Sequence, residues 1–215
     1  MLYMFFIVSY CLLSLAACAD ADAVFTQLPL ATDAMPSASY SGFLNVTESK
    51  RLHYVYVESQ DNATADPVIV WFNGGPGCSS LLGFMQEHGP FVFDDNSTVL
   101  KKNEQPWNLH ANVLYLESPA GVGWSVGEKA SDWRHTDMSQ SKDAFAALKE
   151  WYNAFPERVA NELFISGESY GGIYVPYLAW QIHNHNVQSV LQKSNWTIYN
   201  LKGIMVGNGA TDFKY

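Results

Sequence analysis

A serine set between two glycines is the most chemically suggestive element of this sequence. Gly167-Glu168-Ser169-Tyr170-Gly171 has the form G-x-S-x-G, and it falls where an apolar run, residues 163–166, gives way to a helical pattern. In such a strand–turn–helix setting the serine sits on a sharp turn that exposes its hydroxyl for attack on a carbonyl. The glycines suit a turn in which backbone and neighbouring strands come too close for a Cβ. The backbone N–H of the serine, at the helix N-terminus, favours the negative charge that develops during such an attack. Any glycine-rich turn can contain a serine, so the pattern alone is weak.

A second constellation strengthens it. Trp71-Phe72-Asn73-Gly74-Gly75-Pro76-Gly77-Cys78-Ser79-Ser80 follows another apolar run, residues 68–72. Glycines there let the chain approach a reaction centre and aim backbone N–H groups at an oxyanion. An ordinary β-to-α turn would share that density of Gly and Pro. Two further segments complete the set: Glu117-Ser118-Pro119-Ala120-Gly121-Val122-Gly123-Trp124-Ser125 and Val206-Gly207-Asn208-Gly209. With all four motifs in this order, the chain resembles the serine carboxypeptidases, exopeptidases of the α/β-hydrolase fold that act at acid pH. The resemblance covers nearly all of residues 20–215.

The resemblance implies that Ser169 is the nucleophile and that the N–H groups of Gly75 and Tyr170 form the oxyanion hole. It also implies that Trp71, Asn73, Glu87 and Glu168 bind the terminal carboxylate of a peptide or protein substrate. A carboxylate is repelled by two ionised glutamates. Neighbouring carboxyls share protons, however, and burial raises their pKa, so at acid pH they donate hydrogen bonds instead. Each residue also has a plainer role open to it. Trp71 could be core, Glu87 a solvated helix-end residue, and Glu168 a structural acceptor. Glu117 reads as structural, holding the glycine-rich segment behind it.

The triad order in this fold is Ser, then Asp, then His. None of the six histidines fits it. His53, His88, His110 and His135 precede the serine, while His183 and His185 lie on the helix leaving the elbow and point away from its hydroxyl. Most histidines are expected at the surface. Asp212 comes too early for the family's acid. The expectation is an N-terminal part of a longer enzyme, truncated before the triad Asp and His and inactive alone. The resemblance adds that Cys78 pairs with a cysteine in the absent region. Two other functions stay open: a related acyltransferase or esterase, and a non-catalytic short product. Acyltransferase relatives tend to change the elbow Glu to Asp and to alter Trp-x-Asn-Gly-Gly, and this chain keeps both.

The elements that must position these residues follow from periodicity. Strands are expected at residues 41–46, 52–59, 68–72, 113–116, 163–166 and 203–206. The later ones are apolar on both faces, as in a covered parallel sheet. The first two form an antiparallel hairpin across the polar residues 47–51. A helix over residues 137–155 has Phe145, Leu148, Tyr152 and Phe155 on one face and is ended by Pro156. Another spans residues 170–185. The alternation gives an α/β fold with a mostly parallel sheet behind an antiparallel first hairpin.

Composition excludes several classes. Charged residues are 15% of the 215, too few for a disordered chain or coiled coil, and 48% hydrophobic content supports a core. A net charge of −9 leaves no basic patch for nucleic acid. No cluster of histidines and carboxylates has metal-ligand spacing, and serine chemistry needs neither metal nor cofactor. Residues 2–19 form an apolar run ending in Ala17-Cys18-Ala19, which reads as a signal peptide over residues 1–19. The run also approaches the length of a membrane anchor, and Leu15-Ala16-Ala17-Cys18 has the form of a lipoprotein processing site. No later apolar run is long enough to span a membrane. Removing the leader takes Cys11 and Cys18 and leaves Cys78. Sequons at Asn45, Asn62, Asn96 and Asn195 fit a glycoprotein of the secretory route, extracellular or vacuolar/lysosomal.

Overall fold

The computed structural model describes residues 23–93 and 98–212. The leader, with Cys11 and Cys18, and the sequon at Asn96 therefore lie outside the described residues.

The chain opens with β1 (Ala23–Val24), β2 (Ser39–Thr47) and β3 (Lys50–Val57), paired antiparallel. β4 (Val68–Phe72) leads into the glycine-rich turn and a π-helical turn, Gly83–Glu87. Two short strands, β5 (Phe91–Phe93) and β6 (Leu100–Lys102), form a separate antiparallel pair. Next come β7 (Asn112–Leu116), β8 (Val126–Gly127) and α1 (Asp137–Ala154). β9 (Leu163–Glu168), α2 (Gly171–Leu191) and β10 (Leu201–Gly207) close the described chain.

The main sheet runs β1-β2-β3-β7-β4-β9-β10, with β8 added beside β3. β7, β4, β9 and β10 are mutually parallel, so the ends of β4 and β9 leave the sheet side by side. Phe72 pairs with Gly167, which places the glycine-rich turn directly next to the serine elbow.

β4 and β7 are apolar on both faces because both faces are covered. On one, α1 buries Ala144, Ala147, Leu148, Trp151 and Tyr152 while α2 buries Val175, Leu178 and Ile182. On the other, Val57, Trp71, Phe84, Phe91, Val113 and Tyr115 form a second cluster. The start of α1 is fixed by a capping box, in which Thr136 accepts from the Ser139 N–H and Ser139 Oγ accepts from the Thr136 N–H.

The expected elements are present with shifted ends. The first hairpin closes more tightly than the polar stretch suggested, since Thr47 already pairs with Lys50. α2 extends six residues past His185, to Leu191. One expectation is corrected. β10 is not covered on both faces: Ile204, Met205 and Val206 are 49%, 38% and 37% exposed. It ends the strand order and pairs with β9 alone among the described residues. Apolar content signals burial capacity and not burial itself.

Candidate active site

Ser169 occupies the two-residue gap between β9 and α2 with φ +54°, a left-handed conformation that a non-glycine residue adopts only under local strain. The turn is pinned from the neighbouring strand and the chain beyond it. Ser169 N–H donates to the Gly207 carbonyl at 3.0 Å, and its own carbonyl accepts from Gly172 N–H at 3.0 Å and Ala210 N–H at 2.7 Å. The side chain is exposed, as an elbow requires. The assignment of the helix-terminal amide changes, however. Ser169 N–H is committed to Gly207, so the amide at the helix start is that of Tyr170, the residue preceding α2. Space demands only the first of the two motif glycines. A Cβ on Gly167 would lie 2.7 Å from the Phe72 carbonyl oxygen, whereas one on Gly171 would make an ordinary 3.4 Å contact.

The glycine-rich turn rests on this elbow. A Cβ at Gly74 would sit 2.8 Å from both the Ser169 Cβ and the Glu168 carbonyl oxygen, and against the Tyr170 nitrogen. Gly75 follows with φ +108°, outside the reach of L side chains. The backbone of Gly74 and Gly75 is thereby brought beside Ser169 and the Tyr170 amide, the two regions expected to supply oxyanion donors.

The four expected carboxylate-binding residues form one hydrogen-bonded cluster centred on buried Asn73. Its Oδ1 accepts from Trp71 Nε1 and from Gly83 N–H, both at 2.9 Å. Its Nδ2 donates to Glu87 Oε1 at 2.8 Å and to Glu168 Oε1 at 2.9 Å. Two donors on the oxygen and two carboxyls on the nitrogen fix the amide's orientation. Trp71 packs in the second core cluster while its Nε1 donates to Asn73. Glu87 retains much of its surface in solvent, but its carboxyl end lies down at Asn73. Partial desolvation there, reinforced by the Glu168 charge and opposed by the Asn73 bond, raises its pKa above the usual glutamate range.

An exposed serine on a sharp strand–helix turn, a glycine-rich turn against it and a paired-glutamate cluster one residue away are thus assembled in one place. The serine carboxypeptidase family profile matches residues 29–215. The chain belongs to the serine carboxypeptidase family. It is 43% identical over 202 residues to serine carboxypeptidase-like 21 of Arabidopsis thaliana, covering 90% of this chain and 39% of that protein. It is 44% identical over 175 residues to the lysosomal protective protein of Mus musculus, covering 81% and 34%. The crystal structure of Kex1(Δ)p, a prohormone-processing carboxypeptidase of Saccharomyces cerevisiae, superposes with a TM-score of 0.72 at 28% identity, covering 80% of this chain and 39% of that one. The fold is that of the α/β hydrolases. The chain spans about two fifths of the length of the curated relatives it matches.

In this serine carboxypeptidase chain most histidines were expected at the surface, and two of the six are buried. His53 is buried, with Nδ1 2.9 Å from Glu117 Oε2 and Nε2 2.9 Å from Ser41 Oγ. His88 is buried in an aromatic stack, 4.1 Å from the Trp107 ring and edge-on to Trp71 at 4.3 Å. The others lie elsewhere: His110 by Asp61, His135 on the Ala120 carbonyl, His185 on the Thr197 carbonyl, and His183 exposed. Asp212 is exposed beyond β10, and the Cys78 thiol is free and exposed. Asn45, Asn62 and Asn195 are exposed. Among the described residues no helix is long and apolar enough to cross a membrane, and no group of three potential ligands could hold a metal ion. Tyr170, whose position next to Ser169 marked it only as an amide donor, also anchors the elbow through its hydroxyl, which donates to Asp137 Oδ1 at 2.9 Å.

Burial lowers the His88 pKa from 6.5 to about 4. The folded state therefore keeps this imidazole neutral while the unfolded chain protonates below about pH 6.5. Stability from His88 is complete above that value and is lost as pH falls toward 4. The expected loss is on the order of 3 kcal/mol, at 1.36 kcal/mol per unit. Denaturant unfolding at about pH 7 and about pH 4.5 should show a smaller drop for His88→Gln than for the parent.

Proposed function

We propose that the protein is a serine-type carboxypeptidase that releases C-terminal amino acids through an acyl-enzyme on Ser169. The observation that carries this reading is the Asn73 amide joining Glu87 and Glu168, with Glu168 bonded in sequence to the nucleophile. A partly buried cluster of two carboxyls on one amide suits a negatively charged terminus only when at least one carboxyl is protonated. The raised pKa of Glu87 supports that state at acid pH.

In the proposed reaction, Ser169 Oγ attacks the carbonyl carbon of the last peptide bond and its proton passes to a histidine base. Negative charge on the carbonyl oxygen is met by the N–H groups of Gly75 and Tyr170. The C–N bond breaks, the leaving amine takes the proton, and the terminal amino acid departs. Water then hydrolyses the acyl ester and regenerates the serine. The fold's triad order and the positions of the six histidines support a base and an acid drawn from sequence following Tyr215, so residues 1–215 alone are expected to be inactive. Incubating the full-length protein with a free-acid peptide should produce a ladder shortened one residue at a time from the C-terminus. Internal cleavage would contradict the reading.

Residues 1–19 act, in this proposal, as a signal peptide for the secretory route, and the exposed sequons at Asn45, Asn62 and Asn195 support passage along it. N-terminal sequencing of secreted material is expected to begin near Asp20. Recovery of Met1 would refute cleavage, and a lipid on Cys18 would make the protein a lipoprotein instead.

A further inference from the structure

Glu117 is fully buried one residue past the end of β7, yet it is surrounded by donors from three separate segments. Oε2 accepts from His53 Nδ1 at 2.9 Å and from the Trp124 N–H at 2.9 Å. Oε1 accepts a short hydrogen bond from Ser79 Oγ. Burial pushes the carboxyl's pKa up, but the bonds from His53, Ser79 and Trp124 outweigh it and hold the group below the usual glutamate range. An ionised carboxylate can only accept, so His53 donates to it from Nδ1, while its Nε2 lies 2.9 Å from Ser41 Oγ. The order Ser41, His53, Glu117 is that of a nucleophile, its base and an orienting acid. Ser41, however, lies within the sheet, between Ala23 of β1 and Val55 of β3, with its backbone in the ladder.

The consequence falls on Ser79. Its Oγ accepts from Leu81 N–H at 3.1 Å while donating to Glu117, and Ser80 Oγ donates to the Leu116 carbonyl at 2.6 Å. These two serines end the turn that contains Gly75, and that turn is closed by Cys78 N–H on the Gly74 carbonyl at 3.0 Å. The Ser79 bond is thus a tie between the turn and the sheet, and its strength depends on how firmly Glu117 is itself oriented.

We propose that His53 and Glu117 are positioning residues that, through Ser79, hold the Gly75 N–H in the direction an oxyanion requires. This inference rests on the serine hydrolase reading of Ser169. His53 contributes as a donor in a fixed place, so Asn, whose Nδ2 occupies nearly the position of the imidazole Nδ1, can stand in for it and Ala cannot.

The test uses the full-length enzyme and an N-acyl amino acid ethyl ester, which has no free carboxylate and bypasses the Asn73 cluster. His53→Ala and Ser79→Ala should each lower kcat about ten-fold with little change in KM, because an oxyanion donor acts in the transition state. His53→Asn should retain kcat within about three-fold of the parent. In parallel, hydrogen exchange at the Cys78 amide, which closes the turn on the Gly74 carbonyl, should quicken at least about ten-fold in the full-length protein for His53→Ala and Ser79→Ala but not for His53→Asn. Ser79→Ala keeps the assay meaningful should the His53 variants fold poorly. Equal losses for Asn and Ala, a change confined to KM, or unaltered exchange in Ser79→Ala would overturn the proposal. If the parent turns over no ester at all, the hydrolase reading fails, and the exchange rates still decide whether His53 and Glu117 hold the turn.

Discussion

Replacing Ser169 by alanine is expected to abolish peptide hydrolysis by the full-length protein, lowering kcat on the order of 10⁴- to 10⁶-fold. The size follows from the covalent role. Without Oγ no acyl-enzyme forms, and only water attack assisted by the oxyanion donors remains. A serine-directed phosphonylating reagent should label the parent stoichiometrically at Ser169 and leave the variant unlabelled. Folding should be unaffected, because alanine meets the same φ of +54° that serine already tolerates. Ser169→Gly, free of that left-handed penalty, should be equally inactive and at least as stable in denaturant. Labelling at another serine, or substantial turnover by Ser169→Ala, would remove the elbow from the mechanism.

Much of this candidate site is legible in the sequence because its signals are local. Gly167 through Gly171 and the glycines after β4 mark places where the backbone must turn or touch, and the structure puts them side by side through the Phe72–Gly167 pairing. Glu87 is the member of the cluster least legible in the sequence. It lies fourteen residues from Asn73 on an irregular π-helical turn that no hydrophobic periodicity announces. The burial of His53 is illegible for a different reason. Its burial depends on which residue of β2 opposes it, Phe43, and on the arrival of Glu117, sixty-four residues away and just past the end of β7. Register and long-range partners of that kind are tertiary facts, and composition does not encode them. The same holds for β10, whose apolar sequence resembles that of β4 although it lies at the end of the strand order.

The glutamate cluster makes the second large prediction, and it bears on substrate class. In the proposed reading, a free-acid peptide presents a carboxylate to Glu87 and Glu168, while an amidated peptide of the same sequence does not. Below its raised pKa, Glu87 is protonated and donates a hydrogen bond to that carboxylate; as pH rises through this pKa it ionises and repels it. Hydrogen bonds to charged groups contribute about 1.5–3 kcal/mol, and the solvent exposure of Glu87 argues for the low end. That corresponds to roughly a ten-fold rise in KM for the free acid between acid and neutral pH. Glu87→Gln retains a donor that never ionises, so its KM should change little over the same range.

The central claim is therefore tested most directly by KM for paired free-acid and amidated peptides, measured from about pH 4.5 to about pH 7 with the parent and Glu87→Gln. The account predicts a strong free-acid preference at acid pH that fades toward neutrality in the parent and persists in Glu87→Gln. Equal turnover of the two peptides at every pH would contradict it and leave an esterase or acyltransferase as the better description of this site.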